Sequence, residues 1–272
     1  MKHKILNIIQ NKDGIKVAEV LYNNENRVIK TFSKGVSSFE INWYKILKEL
    51  NIPILETYEL GEDYLIMEKI DGKKYRLGRE EDLSLENSVV SIAGYFKKLH
   101  TFSSEIDKKY NDLPLYSPML NIDHIDFLVS KLKDNKLLNL VKRKVHKLNR
   151  IINDFKLVII HRDFYYKNFA VKETTNTIVM FDFSQMCISY KSVEIEFIRR
   201  VLKSRSEEAE RLFLEYYGEY DLNEYLIWEL VNHLDCLYHA FSAEKFPAWG
   251  ESAKDYILNL DNFYFFKQML KW

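Results

Sequence analysis

Residues 157–168 read Leu157-Val158-Ile159-Ile160-His161-Arg162-Asp163-Phe164-Tyr165-Tyr166-Lys167-Asn168, a short apolar run opening into a loop of the form H-x-D-x-x-x-x-N. Four consecutive apolar residues followed by charged ones fit a short buried strand that ends at a polar loop. Fourteen positions after Asn168, a second strand-like stretch, Thr177 to Phe181, leads into Asp182. A carboxylate at the end of a β-run can face a cleft. Leu157 to Ile160, Phe169 to Val171 and Thr177 to Phe181 therefore form a small β island between segments of helical texture.

Upstream of that island the first seventy residues predict strands with one inserted helix. Lys16 to Tyr22 and Arg27 to Phe32 flank Asn23-Asn24-Glu25-Asn26, a turn-forming tetrapeptide, so a β-hairpin is expected with Lys30 in its second strand. Ser37-Ser38-Phe39-Glu40 has the pattern of a capping box ahead of the helical stripe Phe39, Trp43, Ile46, Leu47, Leu50. The helix should stop near Asn51, before Pro53. Ile54 to Leu60 and Tyr64 to Ile70 predict a second hairpin around Gly61-Glu62-Asp63, and Asp71-Gly72 closes the β-rich part. Downstream, Val89, Ile92, Phe96 and Leu99 mark one amphipathic helix, and Leu137, Val141, Val145, Leu148 and Ile152 mark another. From Ser192 onward the pattern is helical, including 223–241 and 252–270. The order predicts an α+β chain with an N-terminal part at 1–70 and a C-terminal part at 71–272.

The bulk composition narrows the function classes. Lys+Arg and Asp+Glu are both 40 among 272 residues, so neither a nucleic-acid footprint nor a polybasic membrane surface is expected. Cys187 and Cys236 lack C-x-x-C spacing, which fits a reducing cytosol better than a disulfide scaffold or a zinc site, and His233 and His239 have no zinc spacing. The expected location is cytoplasmic. Ile5 to Ile9 is too short for the core of a signal peptide, and no stretch approaches the roughly 20 apolar residues of a membrane-spanning helix.

Lys30 on a strand, Glu40 on the following helix, then Asp163, Asn168 and Asp182 occur in the order of a kinase-type site. Each residue also has an ordinary reading: Lys30 as a solvated strand lysine, Glu40 as the capping partner of Ser37, either aspartate as a turn residue. Over residues 15–202 the motifs resemble the aminoglycoside phosphotransferase and choline kinase superfamily, the small-molecule branch of the protein-kinase-like fold. His161 to Asn168 resembles its catalytic loop, Phe181-Asp182-Phe183 its hydrophobic-Asp-hydrophobic segment, and Phe39 to Leu47 its Glu-bearing helix. Tyr64 to Gly72 resembles its strand and hinge, and Leu99-His100 the end of its next helix.

The resemblance implies a two-lobed kinase-like fold and transfer of the γ-phosphoryl group of ATP or GTP to a small hydroxylated substrate. It implies Asp163 as base, Mg²⁺ held by Asn168 and Asp182, Lys30 on the donor phosphates fixed by Glu40, and the backbone of Glu68 to Ile70 against the base. His161 is expected to be a structural hydrogen-bonder in the loop. Two departures stand out. Gln10 to Lys16 contains a single glycine where the family's nucleotide loop carries more, and Arg162 replaces the usual glycine. Only thirteen residues separate Asp182 from Glu196, so no activation segment fits, and Arg162 is expected to meet a carboxylate near Glu194 or Glu196.

Ser189 to Leu202 also resembles bacterial spore-coat-associated kinases. Acceptor identity is expected to reside in the C-terminal helices. There Asp235, Glu244, Glu251 and Asp255 could receive a polyamine, or Trp228, Trp249 and Tyr238 could cage a quaternary ammonium. The rival class is a non-catalytic kinase-like module that binds nucleotide or a protein; a protein kinase ranks lower.

Overall fold

The sheet that begins the chain is built from tight hairpins. In the computed structural model, which describes residues 4–34, 39–102, 113–116 and 119–270, β1 (Lys4–Lys12), β2 (Ile15–Tyr22) and β3 (Glu25–Phe32) run antiparallel. α1 (Phe39–Glu49) follows, then β4 (Thr57–Leu60) and β5 (Tyr64–Glu68), giving a five-stranded sheet in the order β1-β2-β3-β5-β4. The β2–β3 connection is only Asn23-Asn24, with Tyr22 paired to Glu25. Both asparagines have positive φ (50° and 64°), the two-residue turn whose twist matches the strands. Asp13-Gly14 makes the same kind of turn between β1 and β2, with φ of 52° and 76°. Ala18, Val20, Ile29 and Ile66 form the core of this sheet.

β1 is a strand that the sequence pattern does not announce. Its register against β2 shifts between Ile5 and Asn7 and again between Ile8 and Gln10. Each bulge inserts a residue, so the doublets Ile5-Leu6 and Ile8-Ile9 replace strict alternation. All nine residues are exposed.

α1 ends as expected. Asn51 takes φ 54°, its amide donates to Lys48 O (3.0 Å) and Ile52 N donates to Leu47 O (2.9 Å), a Schellman closure with Ile52 and Leu47 both buried. The expected Ser37 cap at the other end lies outside the described residues. The next strand starts later than predicted because Ile54 and Leu55 bridge to Met180 instead.

Among its described residues, the remainder of this unit (Met1–Leu115 with Leu157–Glu219) carries two small sheets and three α-helices. β6 (Tyr75–Leu77), β8 (Phe169–Lys172) and β9 (Ile178–Met180) form one sheet, and β7 (Leu157–Ile160) pairs with β10 (Cys187–Tyr190) in the other. α2 (Glu86–Phe102), whose stripe Val89, Ile92, Phe96 and Leu99 is fully buried, packs on β7 and on α6 (Glu207–Tyr217), and α5 (Lys191–Lys203) packs on both of the latter.

The second unit (Tyr116–Lys156 with Tyr220–Trp272) is helical: α3 (Ile122–Lys131), α4 (Lys136–Asp154), α7 (Leu222–Ser242), α8 (Gly250–Leu258) and α9 (Leu260–Met269). The stripe Leu137, Val141, Val145, Leu148 and Ile152 of α4 is buried as its spacing requires. The single helix predicted over 252–270 is broken at Asn259, which ends α8 and whose side chain accepts from Asp261 N (2.8 Å) to start α9. No described helix is long and apolar enough to cross a membrane.

Candidate functional site

β3 places Lys30 opposite Leu65 of β5, and the first turn of α1 places Glu40 beside it. The ammonium lies 2.6 Å from Glu40 Oε2 and 3.0 Å from Asp182 Oδ1. Lys30 and Glu40 are buried, which excludes the reading of Lys30 as a solvated strand lysine. Burial alone would lower the pKa of Lys30, but Glu40 and Asp182 outweigh it and the net shift is upward. Burial raises Glu40 against the pull of Lys30. The pair is thus held together by mutual attraction where burial leaves both partners poorly solvated.

The loop after β7 is closed on itself. Asn168 Nδ2 donates to Asp163 Oδ2 (2.7 Å) and to Asp163 O (3.0 Å), so one amide fixes both the carboxylate and the backbone that carries it. Asn168 ends a 3₁₀ turn (Tyr166–Asn168), and its carbonyl accepts from Phe181 N (3.0 Å), which brings Asp182 alongside. Asp182 adopts φ 62°, and its amide donates to Tyr44 Oη of α1 (3.4 Å). The five polar residues named from the sequence therefore belong to one connected cluster. The oxygen donors of Asn168 and Asp182 fit Mg²⁺, a hard ion that takes one or two protein ligands and completes its shell with phosphate and water.

Asn168 and Asp163 join the other three through the backbone next to Asp182, and those three, Lys30, Glu40 and Asp182, line a cavity of about 460 Å³. Val17 and Val28 of the sheet, with Leu55 and Met67, give it an apolar slot; Glu68, Lys69 and Ile70 form one wall; Lys30, Glu40 and Asp182 form the polar end. An apolar slot with a few convergent charges is the usual form of a cofactor-sized site.

The Glu68 side chain, which sequence gave no reason to single out, is anchored. It is buried, accepts from Arg27 Nη1 (2.7 Å) and Tyr58 Oη, and lies 3.6 Å from Lys74 Nζ. Arg27 also rests over the Tyr58 ring at 4.2 Å. Burial and the Glu68 carboxylate push the Tyr58 phenol up to about 12. These contacts tie the end of β5 to β3 and β4. Gly78 is a second such residue: a Cβ there would lie 2.2 Å from Tyr166 O and 2.5 Å from the Phe169 ring, so only glycine lets β6 lie against the loop.

Arg162 departs from the expected glycine at a real cost in conformation, with φ 65° in the left-handed region. Glu194 meets it through the backbone: Glu194 Oε1 accepts from Arg162 N (2.7 Å), while Oε2 lies 2.9 Å from His100 Nε2. His100 Nδ1 is 2.8 Å from Tyr217 Oη. Glu196 is engaged with Arg199 and Arg200 within α5. His161 is fully buried and packs edge-on against Phe183 and Tyr95; burial lowers its pKa, against the pull of Glu194, Asp163 and Asp182. Glu194→Gln should lower unfolding free energy by about 1.5–3 kcal/mol, the range for a hydrogen bond to a charged group, and slow turnover by loosening the loop. Denaturant melts read alongside initial rates check this; an unchanged midpoint and rate would contradict it.

In the second unit, the proposed aromatic cage does not form. Trp228 and Tyr238 stand ten positions apart on α7, about 15 Å along the axis. Tyr238 instead stacks on His124 (3.5 Å, 7°), and Trp249 is 56% exposed. Asp235, Glu244, Glu251 and Asp255 are all exposed, with Asp235 near His239 and Glu251 near Lys254.

The model of a family described as Phosphotransferase enzyme family matches residues 18–225. No curated protein matches the chain. Among solved structures, it is similar to choline kinase LicA from Streptococcus pneumoniae (TM-score 0.54, 15% identity, 96% of this chain and 94% of that one). It is also similar to an ethanolamine kinase of Plasmodium vivax (0.51, 16%, 98% and 83%). A third is spectinomycin phosphotransferase APH(9)-Ia, solved with ADP and spectinomycin (0.53, 12%, 99% and 92%). At these identities the likeness is one of fold, and it is the kinase-like α+β fold expected from the motifs.

Proposed function

Since the chain belongs to the phosphotransferase enzyme family, whose model spans 18–225, we propose that it moves the γ-phosphoryl group of ATP or GTP to a hydroxyl of a small molecule. The observation that carries this reading is the connected cluster in which Lys30, Glu40 and Asp182 line one cavity and Asn168 and Asp163 adjoin them through the Phe181–Asn168 backbone bond. Phosphoryl transfer asks a protein mainly for positioning and charge stabilisation, and these side chains are already held by one another.

In this reading the base enters the apolar slot against Val17 and Val28, with the backbone of Glu68 to Ile70 at its edge. Lys30 meets the α- and β-phosphates and is kept in place by Glu40. Asn168 and Asp182 would hold Mg²⁺, which would supply neutralisation of phosphate charge. Asp163, oriented by the Asn168 amide, accepts the proton of the attacking hydroxyl. The acceptor class is an aminoglycoside, an amino alcohol or a sugar-like alcohol; LicA and APH(9)-Ia, named for choline and spectinomycin, motivate the range.

The test is release of ADP or GDP by purified protein with Mg²⁺ against a panel of these alcohols. Release that depends on the acceptor supports the reading. No release, together with no Mg²⁺-dependent nucleotide binding, would move the protein to the non-catalytic class.

A further inference from the structure

The charged side chains that line the cavity are neutralised in pairs, with one exception. Lys69 Nζ is 3.0 Å from Glu19 Oε1, Lys30 is bound by Glu40 and Asp182, and Glu68 is bound by Arg27. Lys167 also lines the cavity and, among the described residues, has no carboxylate partner. Its ammonium instead lies 6.0 Å from the Tyr165 ring centroid and 5.8 Å from that of Tyr166. Aromatic faces orient an ammonium without cancelling its charge. The tyrosines themselves are in contact, with centroids 4.3 Å apart, so the platform is made by consecutive residues of the same loop.

Position in the chain says which part of a donor this charge serves. Lys167 is four residues after Asp163 and next to Asn168, whose amide holds the Asp163 carboxylate. The 3₁₀ turn that carries it cannot shift freely, since Gly78 is in close contact with Tyr166 O and Gly78 N donates to Phe169 O (2.9 Å). An ammonium fixed to the same turn as the groups that orient the attacking hydroxyl is placed for the transferring group, whereas Lys30 sits across the cavity on the sheet.

We propose that Lys167 is a further catalytic residue, a second cation that binds the terminal phosphoryl group of the donor. This rests on the phosphotransferase reading above. As the acceptor oxygen bonds to phosphorus and its proton passes to Asp163, the bond to the bridging oxygen breaks and the nucleoside diphosphate leaves with the electron pair. Lys167 takes no part in the proton transfer. It stabilises the equatorial oxygens of the group in flight, where a loose transition state spreads its charge.

The test compares binding of the triphosphate and the diphosphate, with Mg²⁺, by titration calorimetry in wild type, Lys167→Met and Lys167→Arg. Methionine keeps an apolar stem over the tyrosines and removes the charge, so folding should survive. The expected result is triphosphate affinity lower by about tenfold in Lys167→Met, diphosphate affinity within about twofold, and both restored toward wild type in Lys167→Arg. Turnover should fall with the triphosphate affinity. Equal change for both nucleotides, or no change in either, overturns the proposal while leaving the phosphotransferase reading intact. A wild type that binds neither nucleotide overturns both.

Discussion

Asp163→Asn is expected to fold normally, bind nucleotide as the wild type does, and turn over about a hundred to ten thousand times more slowly, the range for losing a general base. The separation of effects follows from geometry. An asparagine keeps an oxygen where Asp163 Oδ2 accepts from Asn168 Nδ2 (2.7 Å), so the loop closure survives. Lys30, Glu40 and the slot lined by Val17 and Val28 are untouched. What is lost is the anionic oxygen that can take the hydroxyl proton. Turnover within a few-fold of wild type would show that positioning alone carries the rate.

Lys30→Met should have the largest effect on stability. Removing one partner of a buried ion pair typically costs about 3–5 kcal/mol, because the other charge stays behind without compensation. Here the survivor is Glu40, already raised by burial with Lys30 present and raised further without it. The sign follows from linkage. A carboxyl whose folded pKa lies above its unfolded value binds more protons when folded. Its contribution to stability is full below the unfolded value of 4.5 and is lost as pH rises through the raised folded one. The variant should therefore be closest to wild type in acid and fall away toward neutrality. In the wild type, Lys30, raised above 10.5, contributes stability that persists below that value and is lost only as pH climbs through the raised one. Glu40→Gln in the Lys30→Met background should flatten the neutral-side loss. Parallel stability curves for Lys30→Met and wild type from pH 4 to 8 would contradict this account.

The local patterns that set the fold were largely legible in the sequence. Asn23-Asn24 forces its hairpin, Asn51 before Pro53 stops α1, and the stripes of α2 and α4 are buried where their spacing puts them. The members of the polar cluster were legible from their order along the chain and from the motifs they share with a known family; Lys30 itself lies inside β3, paired with Val17 and Leu65. Other features were hidden for physical reasons. β1 has bulges that destroy alternation and buries no residue, so it has no core face to leave a pattern. The break at Asn259 is a cap inside an otherwise continuous helical stretch. Glu68 and Arg27 are forty-one positions apart, and only the register of β3 on β5 brings them opposite. Gly78 is required by contact with a loop nearly ninety residues further on, which local propensity cannot record. The aromatic cage failed for a simpler reason: the spacing of Trp228 and Tyr238 on one helix already sets them too far apart.

Arg162 shows both sides of the matter. A carboxylate partner near Glu194 was expected from its place in the loop, and Glu194 does reach it. The contact runs through the backbone amide, and the same carboxylate also meets His100. Charge pairing between side chains can be guessed from composition. A carboxylate that supports a left-handed backbone turn depends on where the chain directs its N–H groups, and that is known only once the fold is.

The most direct measurement is phosphorus NMR of a reaction containing the protein, Mg²⁺, the nucleoside triphosphate and the acceptor that promotes diphosphate release. The account predicts that the γ-phosphorus signal disappears as a phosphomonoester signal of the acceptor grows in equal amount, and that Asp163→Asn slows the exchange by about a hundred to ten thousand times. Inorganic phosphate as the only product, or a triphosphate spectrum unchanged by every acceptor, would contradict it.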